Sequence, residues 1–245
     1  MALNERQESI LQSLKENKSA SVKKLAKTLF VSEATIRRDL QEMQSMGLIE
    51  RNHGGALLPE HADEISIFFR MQKNPKEKEK VATNALLHLP SFRSVFIDSS
   101  STALALAERM DLSFKTVVTN NLQTAIQLSK KPNLHLILLG GTVQFNTNSA
   151  TGSWTARQLQ DFSFDLMLCS CSSVNNGEAL ERSLEQTEIK RVAFARSAKR
   201  ILLFDHTKLN ENSTYLQKKL SEYDLVVTDE KPPESYLDGS VKIVY

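Results

Sequence analysis

The strongest constraint on the fold is a series of six short apolar runs in the last two thirds of the chain. The runs read SVFID, TVVT, LHLILLG, FDLMLCS, RILLFD and DLVVTD, and helical segments lie between them near residues 102–110, 122–129, 152–160 and 183–198. Short apolar strands that alternate with helices form βαβ units. Residues 81–245 are therefore predicted to form an α/β domain whose mostly parallel sheet is covered by helices on both faces.

The first 58 residues have a different pattern, with three predicted helices and a short β-hairpin. Ser21 and Ser32 stand where N-caps are expected for the second and third helices, which are separated by a tight connection. The segment LIERNHGGALLP then alternates loosely and turns at HGG, as a hairpin does. Two helices joined by a tight turn and followed by such a hairpin are typical of a winged helix-turn-helix.

The segment between these two regions, residues 59–80, combines many charges and two prolines with a short apolar group. We interpret it as a linker in which a helix starts near Pro75. The predicted organisation is a winged helix-turn-helix domain over residues 1–58, a linker over 59–80 and an α/β domain over 81–245.

The predicted third helix carries two adjacent arginines beside an apolar stripe. Ile36, Leu40 and Met43 are spaced i, i+4 and i+7, so they share one helix face and the two arginines, Arg37 and Arg38, point elsewhere. An arginine side chain can take the O6 and N7 atoms of guanine, or clamp a phosphate, with paired hydrogen bonds. The arrangement therefore predicts a surface that reads DNA.

A basic patch accompanies this pattern, because residues 18–38 hold six lysines and arginines but one acidic residue. In a helix-turn-helix the second helix enters the major groove by its N-terminal end, and the preceding helix supplies phosphate contacts. A small three-helix packing module with charged outer faces is the alternative interpretation. The predicted contacts with double-stranded DNA, including a wing whose glycines let it lie close to the duplex, are Lys23, Lys24, Ser32, Thr35, Arg37, Arg38, Arg51, His53, Gly54 and Gly55.

The motif around these residues resembles the N-terminal domain of the DeoR family of bacterial transcription regulators. The family pattern reads V-S-x-x-T-I-R-R-D-L, then G-L-I, then R-x-x-G-G-A, and it is matched at Val31–Leu40, Gly47–Ile49 and Arg51–Ala56. The resemblance implies a helix-turn-helix over Ala20–Asp39 that binds operator DNA. Because one small module reads too few bases for genomic selectivity, we expect a homodimer or a homotetramer.

Small polar residues and glycines follow several of the predicted strands. Parallel strands end at one edge of their sheet, where α/β proteins bind ligands, and N–H groups at the helix starts suit a phosphate. Each loop alone is better explained by helix capping, but together the loops predict a site for a phosphorylated small molecule. The predicted effector-binding residues are Asp98, Ser99, Ser100, Ser101, Thr102, Thr119, Asn120, Gly140, Gly141 and Lys208.

These loops resemble the effector-sensing domain of the DeoR family, which shares its fold with ribose-5-phosphate isomerase and coenzyme A transferases. The resemblance implies that the effector is a phosphorylated sugar or sugar derivative, with Lys190 as a second positive charge near it. The chain departs from the family at Ser99–Ser101, where a glycine is usual, and at LCSCSSVNNGEAL, which replaces a glycine-rich stretch. The matches D-x-x-[ST]-T, V-T-N, L-G-G and D-x-x-K fall at Asp98–Thr102, Val118–Asn120, Leu139–Gly141 and Asp205–Lys208.

Three classes of function are compatible with this pattern. The first is a ligand-responsive transcription regulator. Because members of the DeoR family are usually repressors, the resemblance favours a repressor of carbohydrate-metabolism genes. The second is a sugar-phosphate isomerase-like enzyme, which needs a general base, and Asp98, Asp205 and Glu185 are candidates without an obvious pair. The third is a structural protein with a vestigial pocket. We predict the regulator and no enzymatic activity.

Cysteine and histidine positions indicate no metal centre, and neither a metal nor a cofactor is expected. Cys169 and Cys171 stand at alternate positions of a predicted strand, as buried or half-buried thiols in a reducing compartment do. The charged start MALNERQESI differs from a secretory signal, and the longest apolar run is far shorter than the roughly 20 residues of a membrane-spanning helix. We therefore expect a cytoplasmic protein without a membrane partner.

Overall fold

The computed structural model describes residues 4–45, 48–52, 54–57, 66–236, 239 and 241–245. The chain divides into two compact units, an N-terminal unit, Met1–Lys73, and a C-terminal unit, Asn74–Tyr245. The predicted helix near Pro75 begins at that residue. Among the described residues, no helix is both long enough and apolar enough to cross a lipid bilayer.

The N-terminal unit contains the predicted three helices and hairpin, together with two short elements that were not predicted. Strand β1 pairs with β3, and β3 pairs with β2, both in antiparallel register, so the wing is a three-stranded sheet. Strand β1 has three residues without an apolar pattern, and its pairing with a distant strand defines it. The elements are α1 (Glu5–Asn17), β1 (Ser19–Ser21), α2 (Val22–Thr28), α3 (Glu33–Ser45), β2 (Glu50–Asn52), β3 (Gly55–Leu57) and α4 (Ile67–Gln72).

The core of the N-terminal unit uses the apolar stripe of α3. Ile36, Leu40 and Met43 are fully buried, as the spacing predicted. Asp39, on the same helix, is also buried, and it accepts two hydrogen bonds from Arg6 of α1, at 2.5 Å from Nε and 3.0 Å from Nη2. This two-pronged ion pair fixes α1 against α3 and so helps to hold the orientation of α3.

The C-terminal unit is built on seven strands, and every neighbouring pair in this sheet is parallel. All six predicted runs form strands of this sheet, whose order is β15-β14-β12-β9-β4-β5-β6. The predicted fold class, a winged helix-turn-helix with a larger parallel-sheet domain, is therefore confirmed. The strands are β4 (Ser94–Ile97), β5 (Thr116–Thr119), β6 (His135–Leu138), β9 (Phe164–Cys169), β12 (Ser197–Leu203), β14 (Leu225–Val227) and β15 (Ile243–Val244).

Helices cover both faces of this sheet. Met167 and Cys169 of β9 pack in one core cluster with residues of α8 and α9, whereas Leu166 and Leu168 pack in the other with residues of α5 and α6. Alternate residues of one strand thus bury their side chains on opposite faces, which explains why the strands are apolar throughout. The helices are α5 (Pro75–Leu86), α6 (Ser101–Arg109), α7 (Leu122–Leu128), α8 (Ser153–Gln160) and α9 (Leu184–Ala195).

Two smaller antiparallel sheets were not predicted. Hairpin β7–β8 connects β6 to α8, and strands β10, β11 and β13 form a three-stranded sheet. The turn between β10 and β11 is Asn176-Gly177, with φ of 49° and 74°, which is a strong local signal for a tight hairpin. The strands are β7 (Thr142–Gln144), β8 (Ser149–Thr151), β10 (Ser173–Asn175), β11 (Glu178–Glu181) and β13 (Tyr215–Lys219).

The two cysteines differ from the prediction in one respect. Both are buried with free thiols, as expected. Strand β9 ends at Cys169, however, so Cys171 lies in the following loop and not at an alternate position of the same strand. The strand is shorter than predicted because the chain leaves the sheet at Ser170, whose N–H donates to the carboxylate of Asp98.

Candidate DNA-binding surface and effector site

The N-terminal end of α3 is capped as the sequence predicted. The Thr35 N–H donates to Ser32 Oγ at 3.1 Å, and the two hydroxyl oxygens lie 2.9 Å apart. Because the apolar stripe faces the core, Arg37 and Arg38 are exposed on the outer side of the helix. The structure therefore places these four predicted DNA contacts on one element, next to a helix end that favours negative charge.

Arg37 has an internal partner, whereas its contact with DNA remains a prediction. Its guanidinium forms an ion pair with Glu33 at 2.8 Å, one turn earlier on the same helix, and both side chains are exposed. Exposed i,i+4 pairs contribute about 0.3–0.5 kcal/mol. Arg37 can therefore exchange Glu33 for a base edge or a phosphate at small cost, while Glu33 keeps the guanidinium near the start of α3.

The lysines of α2 extend this surface. Lys23 and Lys24 are exposed, as is Lys27, and the helix is capped by Ser21, whose side chain accepts from the Lys24 N–H. Ammonium groups on the first helix of a helix-turn-helix suit phosphate contacts, which position a protein on DNA without reading its sequence.

The wing residues are placed differently from one another. Arg51 is exposed on β2, and Gly54 is exposed in the turn, whereas Gly55 is buried. A Cβ at Gly55 would lie 2.1 Å from the Ala20 carbonyl oxygen, so packing of β3 against β1 requires glycine there. His53 lies outside the described residues. Contact of these wing residues with DNA stays a prediction.

At the carboxyl edge of the large sheet, the structure ties the predicted effector loops to one another. Asp98, at the end of β4, is buried, and its carboxylate accepts from both the N–H and the hydroxyl of Ser100 and from the N–H of Ser170. It also contacts the ammonium group of Lys190 at 3.1 Å. The carboxylate thus holds the loops after β4 and β9 together.

Lys190 is buried among anions, whereas the family resemblance implied a charge beside the ligand. Its ammonium group also contacts the carboxylate of Glu181 and donates to the Ser170 carbonyl at 2.8 Å. Burial lowers the pKa of Lys190, but Glu181 and Asp98 outweigh burial, so the pKa lies above its ordinary value. Lys190 is therefore a buried cation that pairs with two buried carboxylates.

Ser99 belongs to a second buried network. Its hydroxyl donates to Gln186 Oε1 at 2.8 Å, and Gln186 Nε2 donates to Ser149 Oγ at 2.7 Å and Thr147 Oγ1 at 3.3 Å. Ser100 caps α6 by accepting from the Ala103 N–H at 3.1 Å. The departure from glycine in this loop is thus accommodated by hydrogen bonds within the protein.

The loops after β5 and β6 are also engaged internally. Thr119 Oγ1 accepts from the Asn121 N–H, and Asn120 Nδ2 donates to the Ala150 carbonyl at 2.9 Å. The Gly140 N–H donates to Gln158 Oε1 at 3.1 Å. A Cβ at Gly141 would lie 2.0 Å from Thr155 Oγ1.

Lys208 lies in the loop that follows β12. Asp205 caps the short turn His206–Lys208, and Asn74 Nδ2 donates to Thr207 Oγ1 at 2.9 Å. Burial raises the pKa of Cys171 to about 12, and the charges of Glu181, Lys190, Lys208 and Asp205 act on the same thiol. The chain after this turn meets β10, because the Asn210 N–H donates to the Val174 carbonyl at 2.9 Å.

His206 forms a contact that the sequence analysis did not identify. Asp229, which follows β14, accepts from the His206 backbone N–H at 2.7 Å and lies 2.7 Å from Nδ1 of its ring. Asp229 stands at the end of the run DLVVTD. It therefore follows a predicted strand, as the predicted effector-binding residues do. Glu230 brings a third possible metal ligand within 4.8 Å, and the expected absence of a metal stays a prediction.

This contact predicts a pH dependence. The hydrogen bond to Asp229 raises the pKa of His206 above 6.5, and Asp229, Glu230 and Asp205 add to the rise against a smaller effect of burial. The pair therefore stabilises the C-terminal unit fully below pH 6.5, and this stabilisation is lost as the pH rises through the raised pKa. Urea unfolding at a series of pH values should show the loss in the wild type and not in His206→Gln.

An exposed histidine provides the control for this measurement. His88 lies just after α5, and His88→Gln is expected to keep the pH dependence of the wild type. Equal pH dependence in His206→Gln and the wild type would contradict the assignment.

Two family models match this chain with little gap between them. The model of the DeoR-like helix-turn-helix domain matches residues 6–62, and that of the DeoR C terminal sensor domain matches residues 73–230. The chain belongs to the DeoR family. The resemblance noted from the motifs is therefore confirmed over most of the chain.

Curated DeoR-family relatives match over almost the whole length. The HTH-type transcriptional regulator GolR of Listeria innocua is 36% identical over 93% of this chain and 91% of its own length. The glycerol-3-phosphate regulon repressor of Escherichia coli is 30% identical, over 97% of this chain and 95% of its own. The transcriptional repressor GlcR of Bacillus subtilis is 29% identical, over 97% and 93%.

The DeoR relatives decide between the three classes of function. They are named as transcription regulators, so the chain is a DNA-binding transcription regulator and not an enzyme. A ribose 5-phosphate isomerase A from Neisseria gonorrhoeae is a distant structural neighbour, with a TM-score of 0.39 and 12% identity over 58% of this chain and 55% of the enzyme. The names of the DeoR relatives do not favour the isomerase alternative.

Proposed function

We propose that this DeoR-family protein represses carbohydrate-metabolism genes by binding operator DNA, and that a phosphorylated sugar or sugar derivative controls its affinity for the operator. The observation that carries the first part is the exposed set on α2 and α3. Arg37, Arg38, Lys23 and Lys24 lie outside the core, and Ser32 caps the helix that enters the groove. Because its proposed partner is chromosomal DNA, we propose that the protein acts in the cytoplasm.

The names of the relatives support the effector class. The Escherichia coli relative is a repressor of the glycerol-3-phosphate regulon, and a relative from Staphylococcus epidermidis, 30% identical over 87% of both chains, is a lactose phosphotransferase system repressor. Both names concern small carbon compounds whose metabolism involves phosphate esters. A sugar phosphate is accordingly the effector class that we propose for this chain.

We place the phosphate of the effector at the start of α6 and at Lys208. The first N–H groups of a helix have no partners within the helix and attract anions, and Ser101 and Thr102 add hydroxyls there. Lys208 supplies the positive charge. Asp98 and the Gly140 N–H are already engaged by protein groups, so their proposed role is to hold the loops. Ser99, Ser100, Thr119, Asn120 and Gly141 complete the walls of the proposed site.

The proposed regulator acts as a homodimer or a homotetramer. One recognition helix covers too few base pairs to select an operator in a genome, and two helices on one face of the duplex read half-sites about one helical turn apart. An effector that favours a different spacing of the two helices lowers operator affinity by a typical coupling of roughly 5–150-fold.

The test is a fluorescence-anisotropy titration of the full chain on its own promoter region and on a random duplex, with and without sugar phosphates. Lys208→Ala is expected to bind the promoter as the wild type does and to lose its release by the effector, because the substitution removes a cation from the sensor site alone. Lys80→Ala, an exposed lysine of α5, should respond as the wild type does. Normal release of Lys208→Ala would contradict the proposed phosphate site.

A further inference from the structure

Phe30 is the most exposed large apolar side chain of the described N-terminal residues. It lies in the turn between α2 and α3, and 94% of its surface is accessible to solvent. Its backbone has φ of 53°, in the left-handed region that disfavours bulky side chains. The residue thus combines an exposed aromatic ring with a strained backbone.

The turn itself explains the backbone conformation. The Val31 N–H donates to the Ala26 carbonyl at 3.1 Å, which is the long hydrogen bond of a Schellman motif at the end of α2. The residue before Val31 in this motif takes a left-handed conformation, and glycine or asparagine is usual there. A phenylalanine at this position therefore reduces stability.

Packing against the described residues does not compensate for this cost, because 94% of the Phe30 surface is exposed. Leu29 and Val31, on either side, pack against the core of the N-terminal unit, whereas Phe30 points away from it. Strained residues persist where a function uses them. The chain also has a second phenylalanine of this kind, Phe114 in the C-terminal unit, with φ of 60° and 84% exposure, so strain and exposure alone assign no role.

The position of Phe30 supplies the assignment. The residue stands two positions before Ser32, at the end of α3 that enters the major groove, and Lys27 precedes it on the exposed side of α2. We propose that the Phe30 ring is a DNA contact that packs against deoxyribose groups at the edge of the groove. This inference rests on DNA binding by the helix-turn-helix, and it adds an apolar contact to the charged and hydroxyl-bearing residues described above.

The experiment compares Phe30→Asn with the wild type in the full chain. Asparagine tolerates the left-handed conformation, so the variant should fold and its N-terminal unit should melt at a higher temperature. Its affinity for the promoter duplex and for a random duplex should fall by about tenfold, which corresponds to partial burial of an aromatic ring. The slope of log affinity against log salt should not change, because a ring releases no counterions.

Phe114→Asn is the matched control, since it relieves the same strain in the other unit. It should raise the melting temperature of the C-terminal unit and leave DNA affinity unchanged. Wild-type affinity in Phe30→Asn would overturn the proposal, and so would a changed salt slope. Phe30→Gly should repeat the Phe30→Asn result. Absence of binding by the wild type itself would instead count against the proposed function, so the two failures are distinguishable.

Discussion

Replacement of Arg38 by alanine is expected to weaken binding to the promoter duplex by roughly 5–150-fold, the value of one good bidentate contact between arginine and a base. Arg38 is exposed on α3, outside the stripe that packs in the core, so the N-terminal unit should keep its stability. Arg37 shares its guanidinium with Glu33, and we therefore expect a smaller loss for Arg37→Ala. Anisotropy titrations at fixed salt on the promoter and on a random duplex measure both losses.

Lys24→Ala is the control that separates reading of bases from attraction to phosphates. It should weaken binding to both duplexes alike and lower the salt slope by about 0.9, the effect of one lost phosphate contact. Arg38→Ala should lower the ratio of the affinity for the promoter to the affinity for the random duplex. An equal loss on both duplexes would show that Arg38 contacts only phosphate, and would contradict its role in reading the sequence.

The strands of the large sheet could be predicted because both faces of that sheet are buried. In β9 each residue from Leu166 to Cys169 packs in one of the two core clusters, so the strand is a continuous apolar run that stands out from its surroundings. The helices of the N-terminal unit were predictable for a similar reason, since one stripe of α3 is fully buried. Burial imposes a pattern on the sequence, and the pattern reveals the element.

Short strands with polar faces escape this reasoning. Strand β1 exists because it pairs with β3, and no local pattern marks it. Strands β10 and β11 were not predicted although Asn176-Gly177 between them is a strong hairpin signal, because the two strands have only three and four residues. The pairings of β1 with β3 and of β11 with β13 join segments that are distant in the sequence.

The roles of the residues that follow the strands were the least predictable part of the C-terminal unit. The sequence placed Asp98 and Lys190 near the carboxyl edge, but it could not show that the two residues pair with each other. Whether a polar group is left for a ligand depends on partners from other elements, such as Ser170 and Glu181. The same limit applies to Asp39, a motif residue that holds Arg6.

Replacement of Lys190 by methionine is expected to destabilise the C-terminal unit by about 3–5 kcal/mol, the cost of leaving buried charges without their partner. The Lys190 side chain is 5% exposed, and its ammonium group contacts the carboxylates of Asp98 and Glu181, whose side chains are 1% and 7% exposed. Methionine fills the same volume without charge, so the two carboxylates would remain buried and uncompensated. Urea unfolding of the full chain, monitored at the transition of the C-terminal unit, measures the loss in free energy of unfolding.

Lys199→Met is the matched control, because Lys199 pairs with Asp224 at 2.9 Å but is 58% exposed. Surface pairs contribute roughly 0–1 kcal/mol, so this variant should stay close to the wild type. Addition of Glu181→Gln to Lys190→Met should recover part of the loss, since one of the two unpaired anions is removed. Equal stability of Lys190→Met and Lys199→Met would show that the buried cation does not hold these loops together.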